Sequence, residues 1–343
     1  MPPTDMAGRR RAAAGSEAHA AEAAREVLVR GNAVDAVIAG VLMAAAASPG
    51  VLLGPLQLLA GGAGAGLIAI DGRVRQPGLG APRPRGFLAG EPIPEAARVG
   101  VPFLPAAAAT AIASLGAGTM LRAAGPALAL ARSRSPERAA LLEAVARRGA
   151  LALAEEGPSG ELRAVAGRAA HGLLTPEDLG QVLPAVIRCE ERSLGPSALL
   201  TVPWRDARDE ESPDAGSVHV IAAADARGLV AMACYEAPDE GVPVPALGVL
   251  APRSAAPVLR GKPRIAPGAA RPAAAPIALR ARKGVVEIAL GIAIVADAEQ
   301  VLAAMAALFE TAPTFAEALA SPHGGRAVAI ACTRDSARAL ASA

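Results

Sequence analysis

The residues of this chain that could do chemistry are few and far apart. Ser217 and His219 stand two positions from each other in Gly216-Ser217-Val218-His219-Val220, at the head of an alternating apolar run. A hydroxyl there is a candidate nucleophile, and the imidazole a candidate partner for its proton. The plainer alternative is a serine at a strand start followed by a structural histidine. The three cysteines, Cys189, Cys234 and Cys332, are odd in number, widely separated and without any Cys-x-x-Cys spacing. They read as reduced, mostly buried thiols, not as a metal site. The glycine-rich stretch Gly61–Gly66 is followed by a short apolar strand. A dinucleotide loop needs a helix there, so no cofactor is expected.

Those residues must be positioned by elements that the pattern partly reveals. Glu17–Arg30 reads as a helix with Glu22, Arg25, Glu26 and Arg30 on a solvated side. Gly31 and Asn32 end it, because both tolerate left-handed backbone. Ala33–Ser48 is apolar nearly all round and reads as a buried helix. Leu67–Ile70 reads as a strand, with Asp71-Gly72 as a hairpin turn into Arg73–Gln76. Pro77–Pro105 carries seven prolines and reads as an extended loop. Helices are expected over Ala106–Leu121 and Pro136–Glu156. The second has Ser135 as N-cap, Pro136 at its first position and Gly157-Pro158 as its stop. Thr175-Pro176-Glu177-Asp178 has the form of a capping box. Leu199–Val202, Val218–Ala224, Leu229–Tyr235, Val285–Leu290 and Ala327–Cys332 read as strands. Asp297–Phe309 and Phe315–Ser321 read as helices between the last two. Trp204–Gly216 is acidic and Arg253–Pro276 is rich in proline and arginine; both read as irregular. Helices, then hairpins, then helices again suggest helices packed over antiparallel sheets, an α/β class.

Composition narrows the function classes. The chain has 343 residues, 52% hydrophobic but only 2% aromatic, with a net charge of +2. A near-neutral surface with few aromatics argues against nucleic acid as a partner. Val37–Ile70 is 34 residues without a charge, yet Pro49, Gly50, Gly54, Pro55 and the glycine loop break it, so a core helix is expected and no membrane span. Arg9, Arg10 and Arg11 precede no continuous apolar run, since Glu17, His19 and Glu22 interrupt Ala12–Ala24. No signal peptide is read, and a cytoplasmic location is expected.

Gly31-Asn32-Ala33-Val34-Asp35-Ala36 resembles the GNAVDA segment near the start of gamma-glutamyltranspeptidases, a family of N-terminal nucleophile hydrolases. Gly172-Leu173-Leu174-Thr175-Pro176-Glu177-Asp178-Leu179 is similar to another of that family's segments. Gly61–Ile70, Val101-Pro102, Ser217–Val230, Pro257–Leu279 and Val285–Gly291 follow in the same order. The family's long insert before the nucleophile is absent, with only Trp204–Gly216 in its place. The resemblance implies a four-layer αββα sandwich of the N-terminal nucleophile hydrolase type. It also implies a tail over 1–16 and a single intertwined domain over 17–343, with a large part 17–216 and a small part 217–343. Its ligand would be a gamma-glutamyl or other amide small molecule; no protein partner is indicated.

The family attacks amides with a threonine freed at a new N-terminus, whose own amine acts as base. Aligning on His219 puts Ser217 at that position; counting back from Asp225 and Gly228 puts Val218 there. The family's arginine clamp falls on Leu79, which cannot pair with a carboxylate; Arg73, Arg75 and Arg83 stand nearby as substitutes. The family's serines fall on Pro272–Pro276, and its oxyanion-hole glycines on Ile292-Ala293-Ile294. The expectation is a divergent homologue that has lost most of the catalytic groups. The alternatives are an amidohydrolase or acyltransferase using Ser217 after self-cleavage, and a non-catalytic small-molecule binding or interaction protein.

Overall fold

The computed structural model describes residues 11–62, 64–202, 217–273, 277–293, 326–332 and 337–341. Strand β1 (Ala12–Gly15) opens the chain, followed by helices α1 (Ala18–Leu28) and α2 (Ala33–Ala47). A hairpin of β2 (Leu56–Gly61) and β3 (Leu67–Gly72) turns at the glycine-rich loop. Helices α3 (Leu104–Leu115), α4 (Met120–Arg134), α5 (Pro136–Arg148), α6 (Leu151–Ala154), α7 (Glu156–Ala166) and α8 (Pro176–Gly180) follow. Then come β4 (Ala185–Arg188), β5 (Glu190–Leu194) and β6 (Ser197–Thr201). The hairpin β7 (Ser217–Ala224) and β8 (Val230–Ala237) precedes a short ribbon, β9 (Val242–Val244) with β10 (Val249–Ala251). The last strands are β11 (Ile277–Arg282), β12 (Val285–Ala293), β13 (Arg326–Cys332) and β14 (Ala337–Ala341).

These strands make two antiparallel six-stranded sheets, ordered β1-β7-β8-β2-β3-β4 and β14-β13-β12-β11-β6-β5. Alternation along β7 explains how they stack. Ile221 and Ala223 pack with the helices, while Val218, Val220 and Ala222 pack against Ile277, Leu279, Ala289, Val328 and Ile330 of the second sheet. The first sheet is therefore buried on both faces. Helix α2 is apolar all round because it lies between α1, α4 and this sheet, with Val34, Ile38 and Leu42 fully buried. Gly40 lets it come close: a Cβ there would stand 2.8 Å from the Ala20 carbonyl oxygen and overlap the Ile221 side chain. On the second interface, a Cβ on Gly291 would lie 3.2 Å from Met232 and from Val220, so a glycine sets how near β12 comes to β7 and β8.

The described residues hold three layers in the order α, β, β. The helices expected at Asp297–Phe309 and Phe315–Ser321 lie outside them, as does Trp204–Gly216. Several local expectations are corrected. Asp71-Gly72 is not a turn but the end of β3, where Asp71 pairs with Gln57 and Gly72 with Leu56. Arg73–Gln76 is not a strand; Arg75 alone bridges to Val101 and Ala270. Gly157 and Pro158 do not stop a helix but lie in the first turn of α7, a position that tolerates a missing amide hydrogen. The predicted α3 boundary at Leu121 falls in the next helix, since Gly116 closes α3 and Thr119 caps α4. Residues 12–15, placed in the tail, form β1 by pairing with Ile221–Ala224.

Candidate functional site

The two segments that carry the resemblance are braces. Asn32 caps α2 by accepting the Asp35 amide (3.0 Å), and Asp35 returns the bond to the Asn32 amide (2.9 Å). The same buried carboxylate takes the amides of Ala117 (3.1 Å) and Gly118 (3.2 Å), holding the α3–α4 loop. Gly31 is required beside it, because a Cβ would meet the Asp35 carboxylate at 2.7 Å. Asp225 joins from the β7–β8 turn: it accepts from Arg227 (2.8 Å), Leu229 (3.1 Å) and, at 3.4 Å, from Ala33 at the start of α2. The second brace is Thr175 with Asp178. Asp178 takes the amides of Gly78 (2.8 Å) and Leu79 (3.0 Å), and the Thr175 hydroxyl donates to the Leu79 carbonyl (2.9 Å). The loop at Gly78–Gly80 is thus fixed in place, with Leu79 presented on it.

Ser217 is the first residue of β7 and pairs with Ala237 across the ladder; Val218 pairs with Glu236. Two residues on, His219 lies with Tyr235, Leu56 and Gly72 in one line across the sheet. Its ring stacks on Tyr235, with centroids 5.6 Å apart and planes 19° from parallel. The His219 Nδ1 is 3.3 Å from Ser16 Oγ, and the Tyr235 hydroxyl donates to Glu17 at 2.7 Å. Burial first, then the Glu17 charge, hold the Tyr235 phenol well above its usual range. His219 therefore belongs to a polar cluster on the helix-facing side.

Arg73 and Arg75 leave β3 at the same end of the sheet, three strands from β7, which at ~4.8 Å per strand is about 14 Å. Both close on Asp71. Arg73 grips it with Nε at 2.9 Å and Nη2 at 2.8 Å, and Arg75 reaches it at 3.3 Å while lying over the Phe103 ring. Burial pushes the Asp71 carboxyl up, but the Arg73 hydrogen bonds and the charges of both arginines outweigh it and hold it below the usual value. Burial likewise lowers Arg75, opposed by Asp71. Arg73, Arg75 and His219 are not brought together: Asp71 alternates onto the inter-sheet face, opposite to His219. Arg83 is exposed and lies farther along the loop.

The residue that sequence reasoning missed is Gln57. It sits in line with Val220, Cys234 and Asp71, is 0% exposed, and neither side-chain atom finds a hydrogen-bond partner among the described residues. The one signal was a lone amide within a long uncharged apolar run. The inter-sheet space at this end is thus walled by Val218, Val220, Cys234, Gln57 and the Asp71 cluster. The C-terminal end of β12 faces it, since Gly291 meets Val220 and Val286 meets Gly61 near the far end of β7. Ile292 and Ala293 continue the ladder there, paired with Ala327 and Arg326. Ile294 and residues 274–276 lie outside the described residues.

Thiol chemistry is disfavoured. Burial raises Cys189 and Cys332 to about 11, the latter helped by Asp225, and pushes Cys234 well above its usual value with help from Glu236. No cluster suited to a metal ion occurs among the described residues, and none of their helices is long and apolar enough to cross a membrane.

The chain matches no protein-family model and no curated protein. It is similar to solved structures. Cephalosporin acylase from Bacillus halodurans aligns over 97% of this chain and 96% of its own, with a TM-score of 0.74 at 13% identity. A structure of LmbA2991HD aligns over 97% and 96% at a TM-score of 0.69 and 14% identity. Gamma-glutamyltranspeptidase from Pseudomonas nitroreducens aligns over 56% of this chain and 70% of its own, at 0.47 and 20%. The long alignment establishes the fold as the α/β sandwich of the N-terminal nucleophile hydrolases.

Proposed function

We propose that this chain keeps the scaffold of an N-terminal nucleophile amidohydrolase without the family's catalysis, and serves as a small-molecule binding protein. One observation carries the reading. The loop that would hold a substrate clamp is braced by Thr175 and Asp178 but presents Leu79, while Arg73 and Arg75 are closed on Asp71. Two features add support. Ile292 and Ala293 run on in a regular ladder where the resemblance puts an oxyanion hole, and β-branched Ile292 does not favour glycine-like dihedrals. Loss of one oxyanion donor costs about 10²–10³ in rate. The early and late strands share both sheets, which supports one intertwined domain.

Intact mass with a denaturing gel tests the reading. A single chain of 34.0 kDa after long incubation, with no release of chromophore from gamma-glutamyl or simple acyl anilides, is expected. Two fragments, the smaller beginning at Ser217, would sink it.

A second reading has its own observation: Ser217 begins β7 directly after residues 203–216, where a nucleophile freed by cleavage would stand. Its hydroxyl would attack an amide carbonyl, pass its proton to the departing amine and leave an acyl-enzyme for water or an amine. Ser217→Ala then abolishes both cleavage and turnover.

A further inference from the structure

Arg264 lies in the irregular segment between β10 and β11, against the braced loop. Its Nε and Nη2 are both buried and find no hydrogen-bond partner among the described residues. These two nitrogens form one edge of the guanidinium fork. Arg73 uses the same pair to hold Asp71 at 2.9 and 2.8 Å. One fork is filled by an internal carboxylate; the other has no hydrogen-bond partner among the described residues. Burying charged donors without an acceptor is costly, so such an arrangement calls for an anion. Of the carboxylates against the loop, Asp178 takes the amides of Gly78, Leu79 and Thr175, and Glu177, beside Gly80, accepts from the Gln181 side chain.

The surroundings say what kind of anion fits. Nη2 lies against the backbone of Gly78, where a Cβ would stand at 2.8 Å and where φ is +115°, so only glycine makes room for the fork there. Beside it are apolar atoms of Pro267 and Leu173, 3.6 and 3.9 Å from that Cβ position, and Leu79 lies against Gly268. A planar two-oxygen anion matches a fork, and apolar walls match a short carbon chain. We propose that Arg264 is the anchor for the carboxylate of a small organic acid, gripped side-on beside Gly78. The inference rests on the binding-protein reading in taking the scaffold to hold a ligand, but not on the state of Ser217.

The test is thermal unfolding of the purified full-length chain at fixed ionic strength, titrated with butyrate, butyramide or chloride. Butyrate is expected to raise Tm saturably, and butyramide and chloride are not. Arg264→Met is expected to weaken the butyrate effect by about ten- to hundred-fold, the loss of a charge-assisted pair. Arg260→Met, an exposed neighbour, retains it. Arg264→Lys keeps the charge without the fork and falls between, which serves if the methionine variant does not fold. A butyrate shift no larger than that of chloride, an equal shift with butyramide, or an undiminished shift in both Arg264 variants would overturn the proposal. Each readout is independent of chain cleavage, so the two proposals fail separately.

Discussion

Asp71 shows how a single residue organises one end of the first sheet. It was read as a turn former because Asp-Gly so often makes one, and its partners are only two and four residues away. The local pattern could not reveal that β2 extends β3 on one side and buries the carboxylate. Its folded-state value lies below the ordinary 3.8, so its contribution to stability is complete above that pH and lost as pH falls through the folded value. Asp71→Asn should therefore flatten the acid limb of the stability curve and, at neutral pH, cost about 1–3 kcal/mol by leaving two arginines short of an acceptor. Denaturant melts at a series of pH values check both effects; an unchanged acid limb would remove Asp71 from the account. Tyr235 works in the opposite sense. Its phenol is raised, so stability is full below the ordinary value of 10.0 and falls as pH climbs above it. Tyr235 is the only tyrosine of the chain, so tyrosinate absorbance reports it directly. The expected result is ionisation only in step with alkaline unfolding. Glu17→Gln removes a charge that disfavours the phenolate, so the tyrosinate absorbance should rise at lower pH than in the parent chain; an unmoved titration would remove Glu17 from the account.

Elements were legible where a cap or an alternation announces them. Ser135 and Thr175 each cap the helix that the sequence predicts, and β7 and β8 pair around Asp225–Gly228 as their alternation requires; Asn32, expected to end α1 in left-handed backbone, is instead extended and caps α2. Helix α4 was not expected beyond Leu121, and it contains Gly125-Pro126, a pair that ordinarily breaks a helix. The helix runs through it while packing on α2 and α5, so tertiary burial offsets a break that costs ~3 kcal/mol in isolation. Gly40 makes the same point with a sign change. In a solvent-exposed helix, Gly→Ala gains roughly 0.5–1 kcal/mol. Here the added Cβ would press on the Ala20 carbonyl at 2.8 Å and on Ile221, so Gly40→Ala should destabilise by about 1–3 kcal/mol, the usual cost of overpacking. Urea melts decide it, since a gain would mean that α1 can shift away. Gln57 is the converse case on β2. Gln57→Leu removes two buried polar atoms that lack partners among the described residues. A rise in Tm is expected, as for groups held at a site at the expense of stability. A fall of several degrees would instead indicate that the amide is bonded through a buried water.

At the scale of the whole molecule, the legible part was the order of segments and the illegible part was their pairing. Helix and strand positions follow local rules. Which strands share a sheet is decided by contacts that reach from residue 12 to 224 and from 201 to 278. The site suffers most from this, because Gln57, Asp71 and Val220 line up only once β2, β3, β7 and β8 pair, and Gly291 meets Val220 only once the two sheets are stacked. The same topology makes a prediction about the chain as a single unit. Both sheets draw strands from either side of residues 203–216: β7 and β8 lie between β1 and β2, and β6 lies beside β11. Neither part could leave without exposing the ladders and the apolar interfaces on both faces of the first sheet. A protease site placed between Val202 and Ser217, once cut, should therefore yield two fragments that co-elute in gel filtration as one particle and separate only in denaturant. They should still unfold in one transition that coincides by near-UV absorbance of the buried Tyr235 and by far-UV circular dichroism. Fragments that part under native conditions would mean that each half is a domain, and the strand interleaving would then have no energetic consequence. Co-elution would in turn make cleavage before Ser217 compatible with an intact fold, so that loss or retention of self-processing could be read from the chemistry of the β7 end alone.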